Sequence, residues 1–180
     1  SDRTAEALLK IEAELKATID IVVMVQGDEP MLTPKMISDA IQPLKDEKDS
    51  VEVVNLFAEI ESLDEFNDPN EVKVVLDCGS DALYFSREPI PSLKKGGKNV
   101  RMLKQVCIIP FTREALIRFN ALEQTELEEI ESVDMLRLLE NGEKVRMGPA
   151  GATTYSVDTK EDLQKVEVAM QTDSLLSEYC

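Results

Sequence analysis

The sequence predicts an α/β protein, a three-layer α/β/α sandwich with a mixed, mainly parallel sheet, and three observations carry that expectation. Short β-branched runs alternate with amphipathic helical stretches along the chain. The run Ile21-Val22-Val23-Met24-Val25 is apolar throughout, as in a strand buried on both faces. It stops at once in the polar turn Gln26-Gly27-Asp28-Glu29-Pro30, the pattern of a strand that delivers a loop to a sheet edge. No linker, repeat or low-complexity tract interrupts the 180 residues, which read as one domain over 1–180.

Leu8, Ile11 and Leu15 share one face of a helix running from Thr4, which leads into the strand 21–25. Thr33-Pro34 supplies an N-cap and a first-turn proline for a second helix, with Met36, Ile37, Ala40, Ile41 and Leu44 inward. Val51 to Ile60 reads as a strand. The turn cluster Asn67-Asp68-Pro69-Asn70 precedes strands 72–76 and 82–86, a hairpin-like pair. Pro89 to Lys98 is an exposed loop carrying a basic cluster. Gln105 to Phe111 reads as a strand, and Thr112 caps a helix with Ala115, Leu116 and Phe119 inward. A single helix is expected from Leu127, through Ile130, Val133, Leu136 and Leu139, to the stop Asn141-Gly142. Strands 144–147 and 153–157 follow, and Thr159 caps a last helix with Leu163, Val166 and Met170 inward.

Composition narrows the function. With 36 acidic against 20 basic residues, the net charge of -16 repels nucleic acid and anionic membranes. A divalent cation reverses that field locally, so phosphorylated small molecules stay within reach. The chain has no histidine and no CxxC, which excludes a histidine triad or a zinc site built from it. Its three cysteines, Cys78, Cys107 and Cys180, are widely spaced and read as reduced thiols. No apolar run approaches a membrane span, and Ser1-Asp2-Arg3-Thr4 does not open a signal peptide. The expectation is a cytoplasmic protein with no nucleic-acid partner and no membrane insertion.

Two carboxylates stand out. Asp28 lies at the tip of strand 21–25, where open α/β sheets collect ligands and a cation with its phosphates would sit. It reads equally as half of a Gly-Asp turn pair. Asp158 ends the run Tyr155-Ser156-Val157 just before a helix, either as a second cation ligand or as helix-start chemistry beside Thr159.

Several collinear segments then share one resemblance. Val25-Gln26-Gly27-Asp28-Glu29-Pro30, the segment from Asn67 to Asp77, the segment from Ala82 to Arg87 with Pro89-Ile90-Pro91, Leu127 to Glu131 with Leu136-Arg137, Asn141 to Val145, and Val157 to Leu163 follow one another in the order of a known family. The chain resembles the 3-deoxy-D-manno-octulosonate (Kdo) cytidylyltransferases, also called CMP-Kdo synthetases. The resemblance implies that the anomeric hydroxyl of a keto sugar acid attacks the α-phosphate of CTP, giving a CMP-sugar and pyrophosphate for lipopolysaccharide assembly. It implies Mg2+ held by Asp28 and Asp158, a sugar-acid pocket lined by Gln26, Arg87 and Glu131, a nucleotide-diphospho-sugar transferase-like sheet, and a homodimer.

The chain also departs from the family. The usual opening nucleotide-binding segment, of the form PARxxSxRLPGKxL, has no counterpart, so the expectation is a domain lacking its first strands and an incomplete account of a longer protein. On the sugar side Gln105 replaces a histidine, Ile109 and Phe111 replace tyrosines, and Met135 stands where glutamine is common. Gln105 is therefore taken as a substrate-binding position with altered chemistry, and 8-amino-Kdo as the leading sugar beside Kdo itself. The alternatives are a cytidylyltransferase for another keto acid, such as a sialic acid, and a non-catalytic fragment that keeps the fold and dimer surface.

Overall fold

A computed structural model describes residues 2–48, 50–95, 100–151, 154–173 and 175–176. Its elements are α1 (Asp2–Leu15), β1 (Ile21–Val25), α2 (Pro34–Asp46), β2 (Val54–Glu59), α3 (Leu63–Asn67), β3 (Lys73–Leu76), β4 (Ala82–Ser86), β5 (Leu103–Val106), β6 (Ile108–Thr112), α4 (Arg113–Ala121), α5 (Glu126–Glu131), α6 (Met135–Glu140), β7 (Arg146–Pro149) and α7 (Lys160–Met170). The strands form a five-stranded sheet, β4-β3-β5-β2-β7, and a two-stranded ladder, β1-β6. A bridge between Val53 and Phe111 joins the two.

Strand alternation fixes the layers. On one face Val22, Met24, Val53, Phe57, Ile109 and Phe111 pack with α1, α4 and α6 residues such as Leu8, Leu116, Phe119 and Leu136. On the other, Leu56, Val106 and Ile108 pack with Met36 and Ala40 of α2. Helices therefore cover both faces of a mixed sheet, as the sequence predicts.

The expected predominance of parallel pairing is not found. Among the described strands only β2 and β7 run parallel, and the other four ladders are antiparallel. The reason is the short links: a parallel pair needs a crossover of a dozen residues or more, whereas β3 and β4 are joined by a tight turn. Strand β1 also departs from expectation. Only Met24 in it is buried, and Val25 is 45% exposed, because β6 is its one partner among the described strands.

Other differences have local causes. The strand expected over 105–111 is two, bent at Cys107. The helix expected from Leu127 breaks at Ser132, whose φ of 54 ends α5 in the left-handed region before α6 restarts. No strand forms over 154–157, and Thr153 lies outside the described residues. Ile11, Leu15, Ile130 and Leu163 are exposed rather than inward, whereas Leu8 and Val166 are buried as expected. The short α3, capped by Ser62, escaped the periodicity argument because one turn is too short to show a period. Of the basic loop, Lys94 and Lys95 are exposed, and 96–99 lie outside the described residues. Cys78 and Cys107 are free thiols, and Cys180 lies outside the described residues. No helix among the described residues is long and apolar enough to cross a membrane.

Capping follows the sequence closely. Thr33, Thr112 and Thr159 each accept a backbone N–H of the first turn, and Asp162 returns the bond to Thr159, completing a capping box. Phe119 is fully buried, its ring centroid 5.8 Å from that of Phe111 and 4.6 Å from the Arg137 guanidinium. Phe119→Ala is expected to lower stability by about 3–5 kcal/mol, since it leaves a cavity and removes both ring contacts. Urea denaturation checks this, and a loss below about 1 kcal/mol would show that the core collapses around the gap.

Candidate active site

The site lies where one long strand changes partners. β5 and β6 are a single run bent at Cys107, with β2 along one edge. Along the other edge β5 pairs with β3 and β6 with β1, so the end of β1 and the start of β3 meet beside the bend. Two backbone bonds close the junction, Gln26 N–H to Cys107 O at 3.3 Å and Gln105 N–H to Val72 O at 2.8 Å. Strands that part in this way leave a crevice, and here it is a cavity of about 340 Å3.

Gln26, Asp28, Arg87, Gln105 and Asp158 all line this cavity. Asp28 and Asp158, 130 residues apart in number, are drawn together by a backbone bond from Val157 N–H to Asp28 O at 2.9 Å. Both carboxylates are exposed, and neither is in an ion pair among the described residues. Among the described residues Asp158 accepts only the Ser156 hydroxyl, at 3.3 Å. An adjoining cavity of about 460 Å3 shares Asn70, Glu71, Ser156 and Asp158 with the first, so Asp158 stands on their common wall.

Glu131 is not on the lining. Its carboxylate instead turns toward β4, accepting Ser86 Oγ at 2.8 Å, Tyr84 OH at 3.2 Å and Arg87 N–H at 2.9 Å. Arg87 in turn gives Nε to Glu131 O at 2.7 Å, Nη1 to Pro69 O at 2.9 Å and Nη2 to Ser132 O at 3.2 Å. The guanidinium thus clips the turn before β3 to the end of α5, and its two remaining N–H groups have no partner among the described residues. Lys73, wholly buried, holds the same turn from inside through Asp68 O at 2.7 Å and Glu71 O at 2.6 Å.

Three departures seen in the sequence do not face the cavity. Ile109, Phe111 and Met135 are fully buried in the core and are not among the lining residues. Only Gln105 of that set lines it.

The structure adds residues that motif reasoning passed over. Glu128 lines the cavity and is held by Arg137 in a two-pronged pair, Nε to Oε2 at 2.7 Å. Lys104 is buried between Glu65 at 2.8 Å and Glu71 at 3.0 Å, and these partners hold its ammonium protonated against the opposing effect of burial. Burial pushes Asp134 and the Cys107 thiol up as well, so Cys107 contributes a neutral thiol and its backbone groups. Glu29 is 8% exposed; one oxygen is reached by Cys107 N–H at 3.5 Å and Oε2 has no partner among the described residues. Its place one residue after Asp28 was the available signal, and its burial was not visible in the sequence.

Burial raises the Glu29 carboxyl from 4.5 to about 7. An acid raised on folding binds its proton more tightly in the native state. Its stabilisation is therefore complete below about 4.5 and lost as pH climbs to about 7. Glu29→Gln removes that loss. In metal-free buffer the variant is expected to match the wild type at pH 5 and to exceed it at pH 8 by up to about 3 kcal/mol. Denaturation at the two pH values checks this, and equal stability at both would place Glu29 in water.

Comparison with known proteins identifies the family. A family model described as Cytidylyltransferase matches residues 1–145. The 3-deoxy-manno-octulosonate cytidylyltransferase of Thermodesulfovibrio yellowstonii is 40% identical over 97% of this chain and 70% of its own length. That of Geobacter metallireducens is 39% identical over 92% of this chain and 66% of its own. The chain thus spans about two thirds of the length of these relatives. Among solved structures, a CMP:2-keto-3-deoxy-manno-octonic acid synthetase complexed with CTP superposes with a TM-score of 0.79 at 34% identity, covering 93% of this chain and 68% of that one. A 4-diphosphocytidyl-2C-methyl-D-erythritol synthase from Anaerococcus prevotii, at 13% identity and a TM-score of 0.51, shares the fold alone. The chain belongs to the cytidylyltransferase family, among the 3-deoxy-manno-octulosonate cytidylyltransferases.

Proposed function

We propose that this chain forms the greater part of an enzyme that transfers CMP from CTP to a Kdo-type sugar acid and releases pyrophosphate, with Mg2+ held by Asp28 and Asp158. The observation that carries the reading is the meeting of these two carboxylates, without countercharges among the described residues, at one cavity. They fit the ion: magnesium favours oxygen ligands and keeps several waters, so two carboxylates and the substrate phosphates suffice. Among the described residues no group of three or more acidic, cysteine or histidine side chains is placed to hold a metal ion, so the proposed ion has two protein ligands and takes the rest from substrate and water. When bound, Mg2+ neutralises the α-phosphate and favours deprotonation of the attacking hydroxyl.

The protein's own groups orient the sugar acid. The two unclaimed N–H groups of Arg87 offer a grip for its carboxylate. Gln26 and Gln105 supply neutral polar contacts. With Glu128 and Glu71 paired to Arg137 and Lys104, the exposed lining carboxylates without an ion pair among the described residues are Asp28, Glu129 and Asp158, and they support a sugar acid bearing an ammonium, such as 8-amino-Kdo. A homodimer and a cytoplasmic setting belong to the same proposal.

Pyrophosphate release from CTP by the intact natural polypeptide, with Kdo and 8-amino-Kdo in turn, tests it. Release is expected to require Mg2+ and to stop with chelator. Higher kcat/KM is expected for the amino sugar; a preference for plain Kdo would overturn the sugar assignment and keep the reaction. Asp28→Asn and Asp158→Asn are each expected to lower kcat/KM on the order of 1000-fold without lowering the melting temperature. Near-wild-type turnover in either variant would remove it from the proposed centre.

A further inference from the structure

Asn55 lies in β2 and is completely buried, yet it is polar and has no counterpart among the motifs. Its carboxamide nitrogen donates to two main-chain oxygens, Val106 O at 2.7 Å and Leu56 O at 3.1 Å. Carbonyls only accept, so this end must be the NH2 group and the other end must be Oδ1. Facing Oδ1 at 2.6 Å is Gln105 Nε2. Turning over either carboxamide would set oxygen against oxygen in a buried place, at the cost of an unmet acceptor. The backbone of β2 and β5 therefore dictates the orientation of Asn55, and Asn55 dictates that of Gln105.

The consequence reaches the cavity. Gln105 lines it, its N–H is fixed to Val72 O at 2.8 Å, and no described residue donates to Oε1. A glutamine at liberty turns either end to its ligand; here one Nε2 N–H is held by Asn55, which leaves Oε1 as the acceptor and the second N–H as a donor, each in a fixed place. We infer that Asn55 is a positioning residue which fixes the orientation of the Gln105 carboxamide, Nε2 toward Asn55 and Oε1 away from it, so that the site selects a sugar acid presenting a donor, hydroxyl or ammonium, to Oε1. The inference rests on the cytidylyltransferase reading and adds the residue that sets its polarity requirement. A site built to meet a donor rejects an analogue lacking one, because its own acceptor is left unpaired.

The experiment uses the intact natural polypeptide with CTP, Mg2+, and Kdo, 8-amino-Kdo and the single-site deoxy analogues of Kdo. In the wild type one deoxy position is expected to raise KM about tenfold with kcat within about twofold, the signature of one lost ground-state contact. In Gln105→Met the intact sugar is expected to bind as poorly as that analogue, and the analogue to lose nothing more; in Asn55→Leu, which frees the carboxamide to turn, discrimination between the two is expected to shrink. Comparison with the 8-amino sugar separates the two donors: a preference for it over Kdo that vanishes in both variants identifies an ammonium, and an unchanged ratio a hydroxyl.

Should Asn55→Leu not fold, 15N relaxation of the Gln105 carboxamide, assigned through its loss in Gln105→Met, decides the locking. An order parameter above about 0.8 is expected, and one below about 0.6 overturns it. Discrimination among analogues that is the same in Gln105→Met as in the wild type overturns the inference while leaving the reaction in place. Absence of pyrophosphate release by the wild type with every sugar overturns both.

Discussion

A central strand buried on both edges has no water to satisfy its peptide groups, so each N–H and C=O must find a partner in the protein. β2 meets that requirement with β5 on one side and β7 on the other, and the residues just before it with β6. Everything in the site is placed by those ladders. β7 brings the chain to the segment holding Asp158. β5 carries Gln105 to the cavity, and its continuation as β6 holds β1, whose tip is Asp28 and Glu29. Asn55, in the middle of β2, uses the same rule at side-chain level, meeting two main-chain oxygens that surround it.

Charge is the second organising constraint. An acidic protein that keeps carboxylates unpaired around a cavity must neutralise its other buried ones. It does so with cations drawn from neighbouring elements: Arg137 for Glu128, Lys104 for Glu65 and Glu71, and Arg146 with Lys144 for Asp81. Buried pairs of this kind add little net stability, but loss of one member strands the other charge. The pairs of Glu128 with Arg137 and of Lys104 with Glu65 and Glu71 fix walls of the two cavities. Asp28 and Asp158 stand outside these pairs, as the proposed cation site requires.

Much of this was legible in the sequence, for physical reasons that vary by element. Caps at Thr33, Thr112 and Thr159 were readable because capping is local chemistry. Asp28 was readable as an acid just beyond β1, whereas Asp158 was expected at the end of a strand that does not form, and the bond from Val157 N–H to Asp28 O that joins their segments left no signal in the sequence. The pairing direction of the sheet was not, since apolar runs look alike whichever way their neighbours point. Nor was the inward face of β6: Ile109 and Phe111 were taken for pocket positions, and strand alternation instead sends both into the core. Glu131 likewise supports Arg87 from outside the lining, a distinction that motif matching cannot draw. Asn55 was invisible because its role lies in two backbone oxygens and a glutamine 50 residues away.

The central claim is that the fold brings Asp28 and Asp158 to one divalent cation. Diffraction from crystals of the intact polypeptide grown with CTP, sugar acid and Mn2+ in place of Mg2+ measures it directly through the anomalous signal of the metal. The account predicts a peak within about 2.5 Å of an oxygen from each carboxylate, with a phosphate oxygen completing the contact. A peak held by neither aspartate, with nucleotide bound, would contradict it.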